Sequence, residues 1–153
     1  MKKLVMIGMV VLVIFGFSGD GFAAAKRGTA AEAEAMVKKA ITMAKAKGND
    51  AAFAEVNNPK GQFTERDLYV FVYDTNGKVV AHGQNSKMIG KDLIDMKDAN
   101  GKEFVKERIE IAKTKGSGWQ DYTFTDPLTK LIGHKRAYIE RHGDLIFGCG
   151  IYK

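Results

Sequence analysis

Tyrosine, histidine and lysine carried on neighbouring strands can hold a carboxylate. The hydroxyl and imidazole donate neutral hydrogen bonds, and the ammonium supplies the charge. In this chain Tyr69, Tyr73, His82, Trp119, Tyr122, Lys135 and Tyr138 stand on strand-like segments. Aromatic residues are common on strands because they pack well, so core or edge packing is the ordinary role of any one of them. His82 is balanced between a pocket donor and a satisfied structural histidine. Other chemistry finds no foothold. There is no serine in a glycine elbow, no HExxH and no phosphate loop. His82, His134 and His142 are too few and too irregularly spaced for a metal site, and no Cys-x-x-Cys-His is present for covalent haem.

The elements that must carry these side chains can be read from periodicity. Thr29-Ala-Ala-Glu32 is a capping box, followed by Ala33, Met36, Val37, Ala40, Met43 and Ala44 at helical spacing and Gly48 as a stop. A short helical piece, Ala51 to Val56, capped by Asn49 or Asp50, precedes the break Asn57-Asn58-Pro59-Lys60-Gly61. Leu68 to Tyr73 and Lys78 to His82 form a hairpin about Asp74-Thr75-Asn76-Gly77. A four-residue loop sets Tyr73 opposite Lys78, Phe71 opposite Val80 and Tyr69 opposite His82. Tyr69, Phe71, Tyr73, Val80 and His82 then share an aromatic face with polar tips, while Leu68, Val70, Val72, Val79 and Ala81 share an aliphatic one. A turn near Met88 to Leu93, a helix from Lys102 to Lys115, and strands Trp119 to Thr125, Leu131 to Arg141 and Leu145 to Tyr152 complete the chain. That order describes an α+β domain, a long N-terminal helix packed on an antiparallel sheet of about five strands.

Lys2 and Lys3, the apolar run Leu4 to Phe17 and the small residues Ala23-Ala24-Ala25 have the three-part pattern of a secretory signal, residues 1–25. An uncleaved anchor over Leu4 to Ala25 is the alternative. Losing Lys2, Lys3 and Asp20 lowers the net charge from +6 to +5, and the remaining lysines are scattered, which disfavours nucleic acid. Cys149, the only cysteine, allows no internal disulfide and reads as a buried, inert thiol.

Several segments resemble the single Cache domains: Tyr69-Val-Phe-Val-Tyr-Asp-Thr-Asn-Gly-Lys-Val-Val-Ala-His82, Ile89-Gly-Lys-Asp-Leu93, Asp98-Ala-Asn-Gly-Lys-Glu-Phe-Val105, Lys115-Gly-Ser-Gly-Trp-Gln-Asp-Tyr122, Lys135-Arg-Ala-Tyr-Ile139 and Gly148-Cys-Gly-Ile-Tyr152. The resemblance covers residues 26–153 nearly throughout, in order. It implies an extracytoplasmic, non-enzymatic sensor module with a PAS-like fold that binds a small carboxylate or related metabolite. Gly83 replaces the proline that often follows the hairpin histidine. The chain also ends at Lys153 without a second membrane segment, as a free-standing periplasmic or secreted form would.

The expected pocket is therefore Tyr69, His82, Trp119, Tyr122, Lys135 and Tyr138, around a short acid such as acetate, pyruvate or lactate. Lys135 would pair with the carboxylate and Trp119 would form an apolar wall, with Arg66 a reserve cation. Lys135 and Tyr138 are an odd number apart, so only a bulge brings both to one face. No cofactor is expected, and a membrane receptor is a possible partner. The rival readings are a module docking proteins through its aromatic face and a hydrolase or lyase, for which no nucleophile–base pair is visible. Export should leave Lys26 as the first residue. N-terminal sequencing of exported protein tests this, and retention of Met1 or Leu4 would support the anchor.

Overall fold

The structure is a computed structural model and describes residues 26–153; the proposed signal segment lies outside them. Helix α1 (Ala30–Lys47) begins at the expected box, where the Glu32 amide donates to Thr29 Oγ1 and the Thr29 amide to Glu32 Oε2. Gly48, at φ 88°, ends it. Helix α2 (Asn49–Val56) starts directly behind that glycine. Neither Asn49 nor Asp50 caps it, because both already lie inside the helix. Strands β1 (Thr64–Glu65), β2 (Leu68–Asp74) and β3 (Val79–His82) precede a single 3₁₀ turn, Ser86–Met88. Helix α3 (Phe104–Lys115) and strands β4 (Ser117–Thr125), β5 (Ile132–His142) and β6 (Leu145–Tyr152) follow.

All six strands join one antiparallel sheet in the order β1-β2-β6-β5-β4, with β3 also paired to β2. The additional strand is β1, two residues long and too short to show a period. Burial on both sides of β2 makes it the axis of the fold. Leu68, Val70 and Val72 meet Ala33, Val37, Ala40 and Ile41 of α1, together with Phe147 and the fully buried Cys149. Tyr69, Phe71 and Tyr73 point the other way, under α3 and the irregular segment 83–100.

The hairpin departs from the expected register. The Asp74 amide donates to the Lys78 carbonyl, and Gly77 has φ 97°, so the loop is Thr75 to Gly77. Further along, Tyr73 pairs with Val79 while Val72 pairs with Ala81, which leaves Val80 as an extra bulged residue. Pleat alternation restarts at the bulge. Val79 therefore joins the aromatic side and Val80 packs on the aliphatic side, the reverse of the expected assignment. His82 lies opposite Phe71 rather than Tyr69.

A half-buried cluster fastens the start of the described chain. Arg27 spans Asp67 (3.4 Å), in the β1–β2 turn, and Asp126 (2.6 Å), in the β4–β5 loop; Asp67 also accepts from the Gly28 amide. On β6, Gly148 faces the aromatic side, where a Cβ would stand 2.3 Å from the Phe71 ring. Gly148→Ala should cost about 1–3 kcal/mol, the usual penalty of overpacking a closed core. Urea unfolding measures it, and a loss under half a kcal/mol would show that the ring has room to move.

Candidate functional site

Tyr122 of β4, Lys135 of β5 and Tyr152 of β6 lie directly opposite one another, so the pleat sends all three to the aromatic side of the sheet. The Lys135 stem passes over Gly150, where a Cβ would come within 2.6 Å of its Cε. Its ammonium is 1% exposed and donates to the Tyr69 hydroxyl at 2.6 Å. It sits 4.0 Å from the Tyr69 ring centroid, 5.1 Å from Tyr152 and 5.3 Å from Phe71. The Tyr69 and Tyr152 hydroxyls are 3.3 Å apart, and Tyr152 donates onward to the Thr125 carbonyl. No carboxylate bridges Lys135 among the described residues. Burial pulls its pKa from 10.5 down to about 7.

A second cation is buried nearby. Arg108 of α3 is 1% exposed, with its guanidinium 4.4 Å from the Phe71 ring centroid and 4.7 Å from Tyr73. Its Nε donates to Gln120 Oε1, whereas Nη2 is buried with no partner among the described residues. His82 borders both cations. Its Nδ1 accepts backbone N–H groups from Gln84 (3.3 Å) and Asn85 (3.0 Å), so the neutral ring carries its proton on Nε2. Burial first, then Lys135 and Arg108, hold its pKa down to about 3, and the ring is neutral at ordinary pH.

A cavity of about 260 Å³ opens beside these groups. Tyr69 and His82 line it together with Met88 and Phe124, and Lys130 stands among its lining residues as an exposed cation. No Asp or Glu lines it. The result is a hollow with hydroxyl and imidazole groups, an ammonium bonded to Tyr69, and no negative charge in its wall.

The description of the family "Single Cache domain 2" matches residues 23–152. This chain is a single Cache domain. The domain is 30% identical over 89 residues to the sensor histidine kinase MctS of Rhizobium johnstonii (strain DSM 114642 / LMG 32736 / 3841). That match covers 57% of this chain and 19% of the kinase, so the chain spans about a fifth of that relative. A methyl-accepting chemotaxis protein from Vibrio parahaemolyticus RIMD 2210633 superposes with a TM-score of 0.69 at 26% identity, covering 80% of this chain and 86% of that one. A Cache chemosensory domain solved to explain its recognition of carboxylic acids superposes at 0.63 and 22% identity, covering 80% and 86%, a likeness of fold. In the described residues of this Cache domain no helix is long and apolar enough to cross a membrane.

Of the six residues expected around the pocket, Tyr69 and His82 line the cavity. Lys135 stands behind Tyr69, and Tyr122 is on the same side but stacked on Phe104, with ring centroids 4.8 Å apart. Trp119 and Tyr138 lie on the other side. They pair across β4 and β5 with each other, their rings pack at 5.4 Å, and Tyr138 donates to Glu140. Strand β5 keeps its alternation past Lys135, with no bulge to bring Tyr138 round. Arg66 is engaged elsewhere, by Glu32 at 2.7 Å and the Arg27 carbonyl. Sequence reasoning missed Arg108 and Tyr152. Arg108 occupies the vacant place in the stripe Val105, Ile109, Ala112, and that spacing was its only signal.

The buried lysine makes stability depend on pH. Between pH about 7 and 10.5 the unfolded chain holds a proton on Lys135 that the folded chain has lost, so this group's contribution to stability rises with pH across that window. Below about 7 the cost of the buried charge is fully present. Lys135→Met removes it, so the thermal midpoint at pH 6 should rise relative to wild type, and the two should converge toward pH 10.5. Scanning calorimetry across that range decides the matter; a midpoint lowered at pH 6 would mean the ammonium stabilises the fold.

Proposed function

We propose that this Cache domain is an extracytoplasmic sensor that binds a small monocarboxylate, without catalysis, in the cavity under Tyr69 and His82. The observation that carries the reading is a cavity wall with polar hydroxyl and imidazole groups, one exposed cation and no acid, backed by the Lys135 ammonium. A carboxylate entering it would meet the Nε2–H of neutral His82 and a Tyr69 hydroxyl that can turn its proton from Tyr152 to the guest, with the Lys135 charge immediately behind. One carboxylate suits this arrangement better than two, because Tyr69 and His82 form a single buried group, Arg108 is enclosed by aromatic rings away from the lining, and Lys130 is an exposed, solvated charge. Acetate, pyruvate and lactate are the simplest members of the class. Burial of the aromatic side favours sensing over docking: Tyr69, Phe71, Tyr73 and Tyr122 are each 4% exposed or less, so these rings offer a partner no flat surface.

We further propose that residues 1–25 export the chain and that residues 26–153 act in the periplasm or outside the cell. The occupied domain would report to a membrane partner in signalling or chemotaxis. The sensory kinase and chemotaxis relatives support that role.

Calorimetric titration at pH 6 with acetate, pyruvate, lactate, short dicarboxylates and short amines tests the class. Monocarboxylates should bind, amines should not, and Lys135→Met should weaken the acids at least about tenfold while remaining folded. Above pH about 7 affinity should fall by up to about tenfold per unit, as Lys135 loses its proton. Binding by amines alone, or a Lys135→Met variant that binds acids as wild type does, would overturn the proposal.

A further inference from the structure

We infer that the acid sensed here carries an apolar tail of roughly four to six carbons, and that the tail lies in a second hollow beside the first. The inference deepens the monocarboxylate reading and rests on it. The second hollow measures about 180 Å³ and is lined by Met88, Met96, Phe104, Phe124 and Ile132, with Lys97 and Asp98 as its charged residues. Met88, Phe124 and Thr125 belong to the linings of both hollows, so the two share a wall. One member of that wall is an unbranched methionine, the side chain best able to rearrange around a guest.

Size and surface point the same way. At about 30 Å³ for each water-sized group, the first cavity has room for roughly nine and the second for roughly six. An acid as small as acetate leaves most of the first unfilled. The second hollow offers mostly hydrocarbon and sulfur, which suit a methylene chain; the Asp98 carboxylate is taken up by the Asn100, Lys102 and Thr123 amides, and Lys97 is an exposed, solvated charge. Its outer residues Met96 and Ile132 are 36% and 61% exposed, an apolar rim that a tail would cover. The polar groups that suit a carboxylate, Tyr69 and His82, line the first hollow alone.

The test is a titration series of acetate, butyrate, hexanoate and octanoate, with hexan-1-ol as an uncharged control, against wild type and Ile132→Asp. Ile132 lines only the second hollow and is exposed, so its replacement leaves the fold and the carboxylate site in place. Affinity should rise by about threefold per added methylene up to hexanoate and then level off. Ile132→Asp should weaken hexanoate about tenfold or more and leave acetate within about twofold of wild type. Affinity that is flat or falls with chain length overturns the tail while sparing the carboxylate reading. A gain with length that Ile132→Asp does not touch places the tail elsewhere and also overturns the inference. If no acid binds, the carboxylate reading fails and this inference with it. If hexan-1-ol binds as tightly as hexanoate, the carboxylate reading fails and the inference about an acid's tail is overturned with it.

Discussion

A lysine ammonium enclosed in protein, with no carboxylate beside it among the described residues, constrains everything built around it. Lys135 is tolerated because it meets the quadrupoles of aromatic rings and the Tyr69 oxygen, which partly replace the water it has lost. The stem reaches that position only because β6 carries glycine at 150. The aromatic side of β2, the tyrosines opposite Lys135 on β4 and β6, and the cover of α3 all serve the same enclosure. Arg108 repeats the arrangement a short way along the same side. Two positive charges with no carboxylate paired to either among the described residues bias the adjoining cavity toward anions.

Much of this frame was legible in the residues. The alternation in Leu68 to Tyr73 separated the two sides of β2 correctly, and Thr29 with Glu32 marked the start of α1. The failures have separate physical causes. A bulge at Val80 reverses two side chains, and nothing in Val-Val-Ala-His distinguishes a bulged strand from a straight one. Trp119 and Tyr138 looked like site residues because large aromatics suit a pocket wall. They suit the space beside α1 equally well, and only strand parity tells the two apart. The same parity applied to Lys135 puts Lys135 and Tyr138 on opposite sides, as the structure has them. Arg108 escaped notice because a charged residue on an apolar helical stripe reads as solvated until the rings around it are known.

The two sides of the sheet differ in kind. Under α1 the contacts are between regular elements with aliphatic surfaces, which interlock closely. Over the aromatic side, part of the cover is the irregular segment 83–100. Backbone bonds hold it to the β2–β3 hairpin: Val79 donates to Lys91, Gly90 to Val79 and Leu93 to Gly77. It carries Met88 into the cavity wall on a single 3₁₀ turn. A site walled by a hydrogen-bonded loop over a rigid sheet combines fixed polar groups with an adaptable apolar boundary.

The Arg27 cluster ties distant stretches of the chain together. Its bonds join positions 40 and 99 residues apart. Asp126 adjoins Thr125 and Pro127, both residues of the cavity wall. Arg27 in turn lies two residues before the Thr29 cap of α1. The start of the long helix is thus bonded to the rim of the cavity, which gives a displacement at either one a short mechanical route to the other.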